Sequence, residues 1–283
     1  MRCDSHVHVV GEVGRYRQAP NRLYTAVVAP LAELQRLGAR RGITRFVLVQ
    51  PSFYRADNTL LLEDLAILSG RGRGVAVIDP NHVSPLFLAE LAARGVRGLR
   101  INHYSPPGGV APPPLDRVFA PLAAIARAQA WHVEVIAPLP ALLAASDAVV
   151  NSPVPVVIDH YGLPSGPSES GAGKALLALM AQPHIWTKLS APYRFAANSL
   201  ETKPDPTWLA AILARAAERC VWGSDWPHTP QPELQSGDAI PLAYRALRYV
   251  DVVDDFLRAL PVNLAERIMI RNPAALYGFV DGA

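Results

Sequence analysis

Short runs of aliphatic and β-branched residues recur along the chain, separated by alanine- and leucine-rich stretches with apolar residues at helical spacing. The first run, Cys3 to Val9, alternates in character, and others follow at Phe46 to Gln50, Gly74 to Ile78, Gly98 to Ile101, His132 to Ile136, Val154 to Ile158, Ile185 to Leu189 and Cys220 to Gly223. Runs of this length bounded by turn residues predict strands. Leu86 to Arg94, Leu115 to Gln129, Leu176 to Ala181 and Trp208 to Arg219 predict intervening helices. Eight such units predict an α/β fold, a single domain over residues 1–283 closed as a (β/α)8 TIM barrel. A doubly wound open sheet is the weaker alternative, because the first strand ends in a histidine pair rather than a glycine-rich turn.

The connections are unequal. Turns into strands are short, as at Gly42-Ile43-Thr44 and Gly95-Val96, whereas His103 to Pro114, Tyr161 to Gly173, Ala191 to Pro206 and Trp226 to Pro241 are long and rich in Pro, Gly and Ser. In a barrel all strand exits open on the C-terminal face, so these segments are expected to be long βα loops covering a site there.

Composition narrows the function. Half of the 283 residues are hydrophobic, enough for one sizeable core. The net charge is only +3, with arginines scattered along the chain, which argues against a nucleic-acid partner and mildly favours anionic ligands. Cys3 and Cys220 lie in apolar runs and are expected as buried free thiols. No stretch is apolar for long enough to span a membrane, and a cytoplasmic protein is expected. The Gly70-Arg71-Gly72-Arg73-Gly74 segment precedes a strand, so it reads as a turn rather than a phosphate loop. The absence of G-x-S-x-G and H-E-x-x-H patterns removes the common serine-hydrolase and zincin readings.

Chemistry collects at the strand exits. His6 and His8 emerge on one face of the first strand, suited to a metal or an oxyanion. Asp159-His160 ends the sixth candidate strand and Ser224-Asp225 the eighth, so closure would bring His6, His8, His160 and Asp225 to one pocket. A strand-exit Asp is also a common helix cap. Arg100, ending the fourth strand, and Arg194, after the seventh, are candidate receptors for carboxylate, sulfonate or phosphate, or else members of structural ion pairs. Ser52, Tyr54 and Asn58 leave the second strand as candidate neutral donors, with a turn and helix cap as the competing reading. Glu134, in mid-strand, suggests an interior ion pair. His103 and Tyr104 begin a loop that could touch substrate, while His82, His132 and His184 carry no signal of their own.

Taken together, these segments resemble the amidohydrolase superfamily, in particular the amidohydrolase-related lactonases that include 2-pyrone-4,6-dicarboxylate lactonase. The matching stretches are Asp4 to His8, Val49 to Ser52, Gly98 to Arg100, Ile158 to Gly162, Lys188 to Arg194, Gly223 to His228 and Asn272 to Phe279. The resemblance implies a TIM barrel that opens a lactone ring bearing a carboxylate or other anionic group, as in aromatic-compound catabolism. Asp225 would activate water, and His6, His8 and His160 would stabilise the oxyanion, with no cofactor or with one Zn2+ held by His6, His8, His160 and Asp225. Arg100 and Arg194 would bind the anionic group, aided by Tyr193, Ser52 and Asn58. A second arginine found in that branch after the position of Arg100 is replaced here by His103 to Gly108, and no bridging lysine or glutamate ends the fourth strand, which disfavours a two-metal centre. The expected partner is a small anionic lactone, with oligomeric state left open. A metal-dependent decarboxylase of an aromatic or muconate-type acid and a non-catalytic barrel binding an anionic metabolite are the alternatives.

Overall fold

Alternation along each predicted strand sends one side chain toward the barrel axis and the next toward a helix, and this pattern builds the molecule. The computed structural model describes residues 1–105, 111–230 and 237–280. Its strands are β1 (Arg2–Val7), β2 (Tyr24–Ala26), β3 (Ile43–Val49), β4 (Gly72–Ala76), β5 (Val96–Asn102), β6 (His132–Ile136), β7 (Val156–Ile158), β8 (Ile185–Ser190), β9 (Cys220–Gly223) and β10 (Gly237–Leu242). The helices are α1 (Leu31–Ala39), α2 (Thr59–Leu68), α3 (Pro85–Ala93), α4 (Leu115–Gln129), α5 (Leu139–Ala144), α6 (Ser146–Val150), α7 (Gly171–Met180), α8 (Pro206–Ala216), α9 (Tyr249–Ala259) and α10 (Asn272–Tyr277).

Eight strands form one parallel sheet in the order β1-β3-β4-β5-β6-β7-β8-β9. A bridge between Val7 and Trp226, with His8 N donating to Trp226 O at 2.8 Å and Asp225 N to His6 O at 2.9 Å, joins the first strand to the exit of the last. This is the expected (β/α)8 barrel. Val133, Val135, Val156, Ile158, Ile185 and Leu189 face the helix layer, where they pack in the main apolar core. Inside the barrel Cys3, Val47, Val49, Val75 and Val221 form a second cluster, closed by Tyr277 and Phe279 from the end of the described chain. Both cysteines are buried free thiols, pushed up to about 12 by burial.

Several boundaries differ from expectation. β3 and β5 begin earlier than predicted, and Gly72, Arg73 and Gly74 belong to β4 rather than to a turn. A Cβ on Gly72 would lie 2.6 Å from Leu68 Cδ1, so the bare strand lets α2 lie close against it, and Arg73 turns inward to the carbonyls of Tyr277 and Gly278. Within the segment expected as a loop over Trp226 to Pro241, Gly237–Leu242 forms β10 and pairs in parallel with β2. Residues 231–236 of that segment, and 106–110 of the loop expected over His103 to Pro114, lie outside the described residues. Among the described residues no helix is long and apolar enough to cross a membrane.

Candidate active site

The site is assembled where β1 meets β9. Asp4 Oδ1 accepts from Ser224 N at 2.8 Å and its Oδ2 from Tyr249 OH at 3.0 Å, tying the first strand to the exit of the last. Burial pushes this carboxyl up to about 6, against the pull of those donors. Gly223 lets the strands approach: a Cβ there would lie 2.5 Å from His6 Cβ. Immediately beyond, Asp225 takes a left-handed backbone at φ 59°, a conformation more accessible to Asp than to most non-glycine residues.

The two oxygens of Asp225 have different surroundings. Oδ2 accepts from Tyr193 OH at 2.6 Å, Arg194 Nη2 at 2.6 Å and Arg194 Nε at 3.0 Å. Oδ1 has no hydrogen-bond partner and faces the Nε2 atoms of His8 at 3.5 Å, His6 at 3.6 Å and His160 at 3.9 Å. His8 Nδ1 donates to the Val49 carbonyl at 2.7 Å, and His160 Nδ1 pairs with Ser190 Oγ at 2.8 Å. Burial pushes all three imidazoles below their ordinary range, His160 to about 3, so they are neutral. Burial works the other way on Asp225, yet Arg194 and then His160 outweigh it and hold its carboxyl well below the usual range.

Beneath the cluster lies a fully buried ionic layer. Lys188 donates to Glu134 Oε2, stands 3.5 Å from Asp159 Oδ1 and contacts His6 Nδ1 at 3.1 Å. Glu134 is pushed up to about 7 by burial and by Asp159, with Lys188 pulling it back. The interior ion pair expected for Glu134 is therefore the one with Lys188.

A small cavity of about 30 Å3 opens beside the imidazoles, with His8, Tyr24, Ser52, Arg100, Tyr104 and Arg194 on its walls. Arg100 Nη1 donates to Gln50 O at 2.7 Å, while its buried Nε has no partner. A wider hollow of about 700 Å3, between Pro192, Phe195, Lys203 and Arg258, contains none of the imidazoles. The candidate residues therefore border the smaller space.

Metal binding can be tested on the donor atoms themselves. His6 Nε2, His160 Nε2 and Asp225 Oδ1 are buried, unpartnered and within 4.8 Å of one another. Two imidazole nitrogens and a carboxylate are the donor types of a zinc-like divalent cation, on the condition that each imidazole turns an Nε2 lone pair to it. His6, Glu134 and Asp159 form a second triplet, but the Lys188 ammonium contacts all three and opposes a cation there.

An amidohydrolase family model matches residues 3–279. The chain belongs to that family. Among curated relatives, 4-sulfomuconolactone hydrolase of Rhizobium radiobacter is 29% identical, with 98% of this chain and 90% of that protein aligned. The 2-pyrone-4,6-dicarboxylate hydrolase of Comamonas testosteroni is 27% identical over 97% of this chain and 89% of its own. A solved structure described as a 2-pyrone-4,6-dicarboxylic acid hydrolase from Pseudomonas putida superposes with a TM-score of 0.77 at 30% identity, covering 98% of this chain and 97% of that one.

Of the residues singled out from the sequence, this amidohydrolase brings His6, His8, His160, Asp225, Tyr193 and Arg194 into one cluster and places Arg100 and Ser52 on the adjoining wall. Arg194 is not an open clamp, because its guanidinium is held by Asp225 and by Thr229 Oγ1 at 2.8 Å. Asn58 is elsewhere: its amide donates to Val77 O at 2.8 Å and accepts from Val77 N at 3.2 Å, fastening the start of α2 to the exit of β4. Tyr54 OH accepts from Gly11 N at 3.1 Å, and His103 Nε2 lies 2.9 Å from Pro113 O. Sequence reasoning quoted Asp159 and Lys188 within their segments but gave neither a role, and it passed over Tyr24. Lys188 did leave a signal, a charge two positions before Ser190 on the same face of an apolar strand.

Proposed function

We propose that this amidohydrolase hydrolyses a lactone that carries an anionic group. The relatives named above supply the reaction class, and one feature carries the reading: Asp225 is anchored through Oδ2 and turns an unpartnered Oδ1 toward three neutral imidazoles. A water bonded to Oδ1 and to His8 Nε2 attacks the ring carbonyl. Asp225 takes its proton and returns it to the departing ring oxygen. The Nε2 atoms of His6 and His160 stabilise the tetrahedral oxyanion. The unpartnered Nε of Arg100 receives the carboxylate or sulfonate and so orients the ring. When held by His6, His160 and Asp225, with His8 beside them, a divalent cation would supply Lewis acidity at the carbonyl. The reading places the reaction in the cytoplasm, a setting that suits two unpaired buried thiols.

The test is a panel of anionic lactones assayed with and without chelator, for the native chain and Asp225→Asn. Ring opening by the native chain, lowered roughly 10²- to 10⁴-fold in Asp225→Asn, is expected for a lost general base. Undiminished turnover in that variant, or CO2 release without ring opening, would overturn the proposal.

A further inference from the structure

The mechanism above leaves one fully buried amine without a task. Lys188 projects from β8 into the barrel, and its Nζ meets His6 Nδ1 at 3.1 Å with the geometry of a hydrogen bond. An ammonium has only protons to offer, so the nitrogen it meets presents its lone pair. Two carboxylates compete for the opposite arrangement: Asp159 Oδ1 lies 3.3 Å and Glu134 Oε1 3.6 Å from the same Nδ1. Neither oxygen has a hydrogen-bond partner, so neither is aligned to receive a ring N–H from His6. His8 is the reverse case. Its Nδ1 is 2.7 Å from the Val49 carbonyl, which can only accept, so the proton of the neutral ring is on Nδ1.

We infer that Lys188 is a positioning residue that sets the two histidines in opposite tautomers. His6 presents an Nε2 proton to the active site, and His8 presents an Nε2 lone pair. Two rings from a single H-x-H pattern thereby take different parts. His8 Nε2 and Asp225 Oδ1, 3.5 Å apart, are both acceptors and form the side that holds a water. His6 Nε2 is a donor and forms the side that meets an oxyanion. The same arrangement acts against a cation, since His6 can offer it a lone pair only by moving its proton to Nδ1, against Lys188. A metal-bound histidine ordinarily donates its other N–H to a carboxylate or carbonyl. His8 meets that condition, and His6 does not.

The catalytic consequence rests on the lactonase reading, whereas the tautomers do not, and the experiment separates them. Full-length protein labelled with ¹⁵N-histidine and stripped of metal is examined by ¹⁵N–¹H correlation, with His6 and His8 assigned from His6→Gln and His8→Gln spectra. A directly bonded proton on Nε2 of His6 and on Nδ1 of His8 is expected. A proton on Nδ1 of His6 overturns the inference, whatever the substrate. In Lys188→Met the His6 proton should move to Nδ1. Turnover of the lactone should then fall roughly 10²-fold, as for loss of one oxyanion donor, with kcat and kcat/KM lowered equally. Zinc titrated into the variant should bind about tenfold more tightly, the scale of effects from groups behind a metal ligand. An unmoved proton or unchanged zinc affinity in a folded variant overturns the role of Lys188. If the variant does not fold, the native spectrum decides alone. Absence of lactone turnover in the native chain would sink the lactonase reading and leave the tautomer result standing.

Discussion

At the scale of single residues, the cluster satisfies some polar atoms fully and leaves others bare: Asp225 Oδ2 accepts three hydrogen bonds and Oδ1 none. Asp225 Oδ1 and Arg100 Nε are both buried without partners, an unfavourable state that the proposed substrate and water would relieve. Replacing Arg100 with Met should therefore raise KM for anionic lactones about 10- to 100-fold, the scale of one hydrogen bond to a charged group. Steady-state kinetics with an anionic lactone and a neutral analogue checks this, because the neutral one should lose little. Burial has a second residue-scale consequence, in acid. His132 and His228 are pushed by burial to about 3 and about 4. Unfolded histidine takes up its proton near 6.5, so below that pH the unfolded chain binds more protons and stability falls as pH falls. Each ring then costs about 2 kcal/mol between pH 6.5 and 5. Glu134, raised to about 7 by burial, has the opposite sign: its contribution is present in acid and lost as pH rises through 7. Urea unfolding at pH 7 and 5 should show lower stability at pH 5, and His132→Phe should show a smaller loss than the native chain.

At the scale of elements, the decisive contact is the seam between β1 and β9. His6 occupies the space that a side chain at Gly223 would need, with His6 Cβ 2.5 Å and His6 N 2.8 Å from the position of an added Cβ. Gly223→Ala should cost about 1–3 kcal/mol through overpacking. It should also lower turnover, because the strand it displaces carries His6 and leads directly into His8; thermal unfolding and lactone kinetics on one preparation would show whether both losses occur together. This seam also shows what was legible in the sequence. Eight short apolar runs and their loops reveal the barrel because period-2 alternation is a local signal, and the strand exits reveal His6, His8, His160 and Asp225 because closure must bring them together. Lys188 and Asp159 were given no role because their meaning lies in partners across the barrel, far away in the chain. Asn58 was placed in the substrate pocket because its real partner, the backbone of Val77 at the exit of the neighbouring strand, leaves no mark in the sequence pattern. The pairing of β2 with β10 left no pattern to find, as Tyr24–Ala26 is three residues long and its partner lies far along the sequence.

At the scale of the whole molecule, the barrel carries the histidine cluster toward one end and is sealed at the other by the last described residues. Phe279 and Tyr277 close off a cluster of Cys3, Val47, Val49, Val75 and Val221 inside the barrel, which reaches up to the histidines at Val49, whose carbonyl accepts from His8 Nδ1. Inward-turned arginines complete the seal: Arg73 Cζ is 4.5 Å and Arg45 Cζ 5.1 Å from the Phe279 ring centroid, within cation–π range. Arg73 donates to the carbonyls of Tyr277 and Gly278, and Arg45 Nη2 to Val280 O at 2.8 Å. These carbonyls give buried guanidinium groups the acceptors they need. Phe279→Ala removes the ring that both arginines face and opens a cavity under the interior cluster, which should destabilise the fold by about 3–5 kcal/mol. The layer of Glu134, Lys188 and Asp159 stands on β6, β8 and the exit of β7 rather than on this segment, so the folded fraction of Phe279→Ala should keep native kcat and KM at low temperature. Urea unfolding together with initial rates checks both halves of the prediction. A large loss of kcat in fully folded Phe279→Ala would show that the seal reaches the chemistry, and that the two ends of the barrel are coupled through its ionic layer.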